Sequence, residues 1–109
     1  MESSSFYEHV YALVRLIPEG RVTSYGAIAK ALDKEGAARQ VGYAMANAGK
    51  AMPPVPAHRV LNSKGELSAK AAFGHPTLMQ QLLENEGVVI ENDRVVNLKS
   101  VFWDPLTEL

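Results

Sequence analysis

The sequence contains no cysteine. That absence excludes disulfides, thiolate metal ligands and a cysteine nucleophile. Histidine is sparse as well: His9, His58 and His75 are scattered and lack the close spacing of a metal-ligand set, so neither a metal nor another cofactor is expected. No stretch approaches the ~18 apolar residues that span a bilayer, and no membrane role is expected. Met1-Glu2-Ser3-Ser4-Ser5 is acidic and polar, without the basic segment and apolar run of a secretion signal, so the expected compartment is the cytoplasm. What remains is ordinary globular material: 109 residues, 47% hydrophobic and 7% aromatic, suited to a single domain over 1–109.

The net charge of −1 conceals a segregation. Residues 1–19 sum to −2, residues 20–70 to +5 and residues 71–109 to −4. A basic middle between acidic ends fits one positive face turned towards a polyanion, and equally fits solvated charges placed without consequence.

Periodicity predicts the elements. Ser5-Phe6-Tyr7-Glu8 has the form of a capping box, and Phe6, Val10, Leu13, Val14 and Ile17 recur at helical spacing until Pro18-Glu19-Gly20 stops the run. After an extended Arg21-Val22-Thr23, Ser24 is a predicted N-cap for a helix from Tyr25 to Leu32. Asp33-Lys34-Glu35-Gly36 reads as a turn, and Ala37 to about Ala48 as a third helix, with Val41 and Met45 inward and much of its remaining surface small. Two short helices about a glycine-containing turn form a helix-turn-helix pattern, which also serves helical hairpins with no DNA to bind. Pro53, Pro54 and Pro56 predict a stiff extended loop. Arg59-Val60-Leu61 and Glu66-Leu67-Ser68, about Asn62-Ser63-Lys64-Gly65, predict a hairpin able to act as a wing. Thr77 with Gln80 predicts the capped start of a fourth helix ending at Gly87, and 88–90 with 95–98 a last hairpin. Phe102 and Trp103 are expected to pack the tail onto the body.

Pro56-Ala57-His58-Arg59-Val60 is the most informative stretch. It resembles the Pro-Cys-His-Arg-Val motif of O6-alkylguanine-DNA alkyltransferases, with alanine in place of cysteine. Val22-Thr23-Ser24-Tyr25-Gly26 and Ile28-Ala29 resemble the family's entry to its helix-turn-helix, and Ala38-Arg39-Gln40-Val41-Gly42 with Ala44-Met45 its recognition helix. Leu82-Leu83 with Glu86-Gly87 resembles its late helix. The match runs from about Phe6 to Trp103, and the chain is identified as similar to the alkyltransferase-like proteins, which lack the reactive cysteine.

The resemblance implies a mainly α fold with short β-hairpins, a winged helix-turn-helix of the alkyltransferase C-terminal-domain type. It implies binding of duplex DNA containing O6-alkylguanine through the minor groove, with Tyr25, Arg39, Gln40 and Ala44 as DNA contacts. Tyr25 would crowd a phosphate and promote rotation of the target, and Arg39 would fill the gap left by the flipped base, a process that loses a few kcal/mol of stacking and pairing. Tyr25, Pro56, Ala57, Val60, Lys70 and Phe73 would enclose the lesion, with Lys70 as a cation near the base. His58 and Glu86 match the relay that activates the thiol in the transferases; with Ala57 at that position they have nothing to activate. Asn47 is near, but not in register with, the family's hinge asparagine, and Ala72 or Phe73 stands where transferases have a pocket tyrosine. The implied protein is a monomer at the nucleoid, not an enzyme, that flags lesions for nucleotide-excision repair recognition proteins. The alternatives are a winged-helix transcription regulator, for which the third helix has few side chains able to make paired base contacts, and a dealkylating enzyme without cysteine, which Ala57 disfavours.

Overall fold

Helix α1 spans Glu2–Val14 and buries Val10, Leu13 and Val14 on one side. In the computed structural model, which describes residues 2–68, 73 and 77–109, it begins three residues before Ser5. The capping box expected at Ser5 and Glu8 is therefore not formed at a helix start. Each residue added to an existing helix gains a backbone bond, and here that outweighs a single side-chain cap. The helix also ends before the expected Pro18. Ile17 precedes a proline, which disfavours α geometry there. The chain tightens instead, with Leu16 N donating to Leu13 O and Ile17 N to Val14 O, both at 3.0 Å. Ile17 still reaches the core.

Val22 and the two-residue strand β1 (Thr23–Ser24) lead into helix α2 (Tyr25–Ala31). Ser24 caps it as expected, its Oγ accepting from Ala27 N at 3.1 Å. The exit is a Schellman turn: Lys34 N donates to Ala29 O at 2.9 Å and Asp33 N to Lys30 O at 3.0 Å. Asp33 occupies the left-handed position of that motif at φ 61°. Helix α3 (Ala38–Ala46) follows, burying Val41, Ala44 and Met45 against α1 and α2, and Tyr11 of α1 donates its hydroxyl to Ala44 O at 2.9 Å. Together α2, the turn and α3 form the helix-turn-helix.

The wing differs from the expected hairpin. Strand β2 (Val60–Leu61) pairs in parallel with β1, Thr23 beside Val60 and Ser24 beside Leu61. The chain does reverse at 62–66, where Asn62 Oδ1 accepts from Lys64 N and Glu66 N. Beyond that turn Leu67 N donates to Asp93 O and Val95 N to Gly65 O, both at 2.9 Å, so residues 65–67 join the last hairpin instead of returning along β2. That hairpin, β3 (Ile90–Glu91) with β4 (Arg94–Val95), turns at Asn92 and Asp93, both at positive φ as a type I′ turn requires.

Helix α4 (Leu78–Asn85) buries Met79 and Leu83. Thr77 precedes it, but its side chain does not cap the backbone; its Oγ1 instead accepts from Gln81 Nε2 at 2.9 Å. Helix α5 (Leu98–Val101) replaces the expected end of the last strand. Trp103 N then donates to Val22 O at 2.7 Å and its ring enters the core around α1, so the tail is packed down as expected. Each fully buried Val, Leu or Ile in these layers contributes about 1.5–3 kcal/mol.

Candidate nucleic-acid interface

The β1–β2 pairing positions the site. It places the first residue of α2, Tyr25, beside the strand that follows Ala57-His58-Arg59, although Pro56 lies 31 positions after Tyr25. Tyr25 is half-buried against the core, and its hydroxyl is 3.2 Å from Ser68 Oγ. Pro56, at φ −76° and ψ 68°, is the centre of an inverse γ-turn in which Ala57 N donates to Val55 O at 2.8 Å. Its ring holds φ near that value without cost, which fixes where Ala57 begins the 3-10 turn of residues 57–59. Ala57 is half-buried, its methyl packed against the core.

Beneath this turn lies an ionic cluster. Glu86 accepts from His58 Nε2 at 2.8 Å, from Arg59 Nε and Nη2 with a shortest distance of 2.7 Å, and through Oε1 from Gly20 N at 3.0 Å. Arg59 Nη1 donates in addition to Ile17 O at 2.8 Å. Burial pushes the Glu86 carboxyl up, but Arg59, His58 and the Gly20 amide together hold it down to about 2. An ionised carboxylate only accepts, so His58 Nε2 carries the proton in their bond. Gly20 has φ +84°, and a Cβ there would sit 3.1 Å from Glu86 O. The cluster thus joins the turn before β1, the 57–59 turn and the end of α4. Arg59 is the residue here for which the sequence suggested no role, although it stands in the quoted motif; its partner is 27 positions away.

This geometry carries a pH dependence. The folded carboxyl of Glu86 is depressed from 4.5 to about 2, so its stabilising contribution is full above the unfolded value and is lost as pH falls through the folded one. With solvent screening allowed for, the contribution is on the order of 2 kcal/mol. The Glu86 contribution to the unfolding free energy should be constant down to about pH 5 and fall between about pH 4.5 and 2, and Glu86→Gln should reduce the fall in that range. Urea titrations at stepped pH read both curves.

A cleft of about 560 Å³ adjoins the turn, lined by Pro56, His58 and Arg59 with Arg15, Val55, Phe73 and Leu82 among others. Arg15 closes one side by donating Nε and Nη2 to Pro53 O at 3.1 and 2.7 Å. Of the residues expected around the lesion, Pro56 and Phe73 line this cleft, whereas Tyr25 and Ala57 are not part of its described wall. Two expectations need correction. Val60 has no accessible surface and lies in the core behind the turn, so it cannot present a pocket wall. Ala44 is likewise fully buried, because it follows Val41 by three positions and shares its inward face, so its side chain cannot contact DNA. Lys70 and Ala72 lie outside the described residues.

The outward face of α3 carries Arg39, Gln40 and Tyr43, all exposed. Arg39 makes no ion pair or hydrogen bond among the described residues, and neither do the exposed side chains of Lys30, Lys34 and Lys50. The basic middle is therefore divided: among the described residues Arg21 is committed to Glu108 and Arg59 to Glu86, whereas Lys30, Lys34, Arg39 and Lys50 have no such partner and lie on or beside the helix-turn-helix. Tyr43 is a residue the sequence reading passed over among its small neighbours. Asn47 donates Nδ2 to Tyr43 O at 2.8 Å and closes the end of α3. Among the described residues no group of three or more histidines and acids could hold a metal, and no helix is long and apolar enough to cross a membrane.

Comparison with known proteins gives a consistent result. Residues 5–88 match the family model of the DNA-binding domain of 6-O-methylguanine DNA methyltransferase. The chain is 38% identical to alkyltransferase-like protein 1 of Schizosaccharomyces pombe over 112 residues, covering 96% of this chain and all of that one. It is 34% identical to the DNA base-flipping protein of Vibrio parahaemolyticus, covering 92% of this chain and 97% of that one. Its fold superposes on the S. pombe Atl1 crystal structure, solved in complex with damaged DNA containing O6-carboxymethylguanine, with a TM-score of 0.81 at 36% identity, covering 92% and 95% of the two chains.

Proposed function

We infer the function from family: the chain belongs to the alkyltransferase-like proteins of the O6-alkylguanine-DNA alkyltransferase family, and we propose that it binds duplex DNA at an O6-alkylguanine, turns the nucleotide out of the stack and leaves the alkyl group in place. The observation that carries this reading is Ala57. It sits in a proline-fixed turn with the His58–Glu86 pair intact beneath it, so the scaffold of a transfer site is present without a thiol. Transfer needs a group that is both ionisable near neutrality and strongly nucleophilic. A methyl group is neither.

Binding is assigned to the surface around α2 and α3. Tyr25, fixed at the helix start by the Ser24 cap and the Ser68 contact, presses on the phosphate beside the target. Arg39, exposed and without a partner among the described residues, enters the minor groove and replaces the flipped base beside its orphaned partner. Gln40, exposed beside it, contacts the same groove. Ala57 and Pro56 border the extruded base, Lys70 supplies a cation near it, and Phe73 closes the far rim. Glu86 with His58 and Arg59 holds the turn rigid, a structural role that remains after the chemistry is lost.

Binding without chemistry serves a cell when another machine is recruited. The protein accordingly acts as a monomer in the cytoplasm, at the nucleoid, and marks lesions for nucleotide-excision repair recognition proteins. The test is direct. A duplex with one O6-methylguanine is incubated with excess protein; the recovered DNA should retain every lesion and the protein its unmodified mass. Loss of the lesion, or a protein heavier by one methyl group, would contradict the absence of catalysis.

A further inference from the structure

Helix α3 has one aromatic side chain that the fold leaves largely exposed. Val41, Ala44 and Met45 face the core, and the outward positions include small residues such as Ala46. Tyr43 is the exception: its residue surface is 54% exposed. Among the described residues its hydroxyl makes no hydrogen bond and its ring no aromatic contact; Asn47 reaches only its main-chain oxygen. Tyrosine combines an apolar ring with a polar tip, which is why it is favoured where one side meets a partner and the other stays wet.

Its position says which partner. Tyr43 follows Arg39 by four residues and Gln40 by three, so the three share one helix face. Four residues advance about 6 Å along the axis, close to two base steps at about 3.4 Å each. Lys30, Lys34 and Lys50, without side-chain partners among the described residues, flank the same helix-turn-helix. The face is therefore continuous with the surface assigned to DNA, and its one apolar element stands about two nucleotides from the point of Arg39 entry.

We propose that Tyr43 is a further DNA-contacting residue, its ring packed on the sugar of a nucleotide about two steps from the lesion and its hydroxyl donating to the adjoining phosphate. This rests on the reading that α3 enters the groove at Arg39. The contact lies away from the extruded base, so it strengthens binding to damaged and undamaged duplexes alike. It sets the grip on DNA, and Arg39 sets the preference for the lesion.

The test uses the full chain, with Tyr43→Ala and Tyr43→Phe, in fluorescence anisotropy against duplexes that differ only in guanine or O6-methylguanine. Tyr43→Ala should weaken both by about 5- to 20-fold with their ratio unchanged, and Tyr43→Phe by less than about 3-fold because the ring remains. Thermal unfolding of both variants should match the parent, since the side chain is not part of the core. Parent-like affinity of Tyr43→Ala for both duplexes would overturn the contact while leaving the functional reading standing. A loss confined to the damaged duplex would also overturn it, since Tyr43 would then belong to lesion recognition. A parent protein that binds neither duplex overturns the functional reading and this contact with it.

Discussion

Arg39→Ala is expected to weaken binding to an O6-methylguanine duplex by about 30- to 150-fold, the equivalent of about 2–3 kcal/mol. The size follows from what the arginine replaces. Extruding a base loses stacking on both faces and its hydrogen bonds to the partner strand, and a guanidinium in the gap restores part of each. Arg39 is exposed and makes no internal contact among the described residues, so the substitution should leave the fold intact and its effect should fall on binding. Lys34→Ala is the control. It removes a nearby cation of the same sign from the turn between the two helices, and should cost only about 2- to 3-fold, as one phosphate contact does. Anisotropy titrations at one fixed salt concentration read both. Equal losses would reduce Arg39 to a phosphate contact and remove the plug from the mechanism.

The second large effect concerns stability. Glu86→Ala leaves the Arg59 guanidinium and the Gly20 amide without their carboxylate, in a cluster where the Glu86 side chain is only 10% exposed. Removing one partner of such a cluster destabilises by about 3–5 kcal/mol, because the remaining charge is not resolvated. For a domain of this size that lowers the melting temperature by more than about 10 °C. Glu86→Gln should lose less, since its amide oxygen can still accept from Gly20 N and Arg59. Calorimetry distinguishes the cases. A loss under about 1 kcal/mol for the alanine variant would show that water already screens the cluster, and that it does not stiffen the turn beneath Ala57.

Local signals were legible in the sequence, and pairings between distant segments were not. Ser24 announces its helix because the cap and the amide it binds are three residues apart. The Asn92-Asp93 turn is equally local, and both residues tolerate the positive φ it needs. The expected pairing of 59–61 with 66–68 is not formed because Val60-Leu61 could pair with either neighbour, and the sequence does not say that Thr23-Ser24 competes with Glu66-Leu67 for its edge. Arg59 was missed for the same reason: its carboxylate arrives from the end of α4. Ala44 is a different kind of error. The spacing of Val41, Ala44 and Met45 already marks one inward face, but the resemblance to the family's recognition helix put Ala44 among the DNA contacts. Tyr43 stands among small residues and matches none of the motif residues quoted for the family, so nothing in the sequence singled it out. Ser5 shows that a motif of capping type does not bound a helix when the residues before it can also be helical.

The site divides along the same line. Ala57, His58 and Pro56 are contiguous, so their relation is written in the chain itself. The approach of Tyr25 depends on a parallel pairing that only the fold supplies.

The central claim is that this chain prefers damaged DNA, and equilibrium binding tests it most directly. Two duplexes of one sequence, differing only in guanine or O6-methylguanine at a single position, are titrated with the protein at matched salt. The account predicts affinity for the damaged duplex at least about 10-fold higher, corresponding to about 1.4 kcal/mol or more. Equal affinity for the two would contradict it.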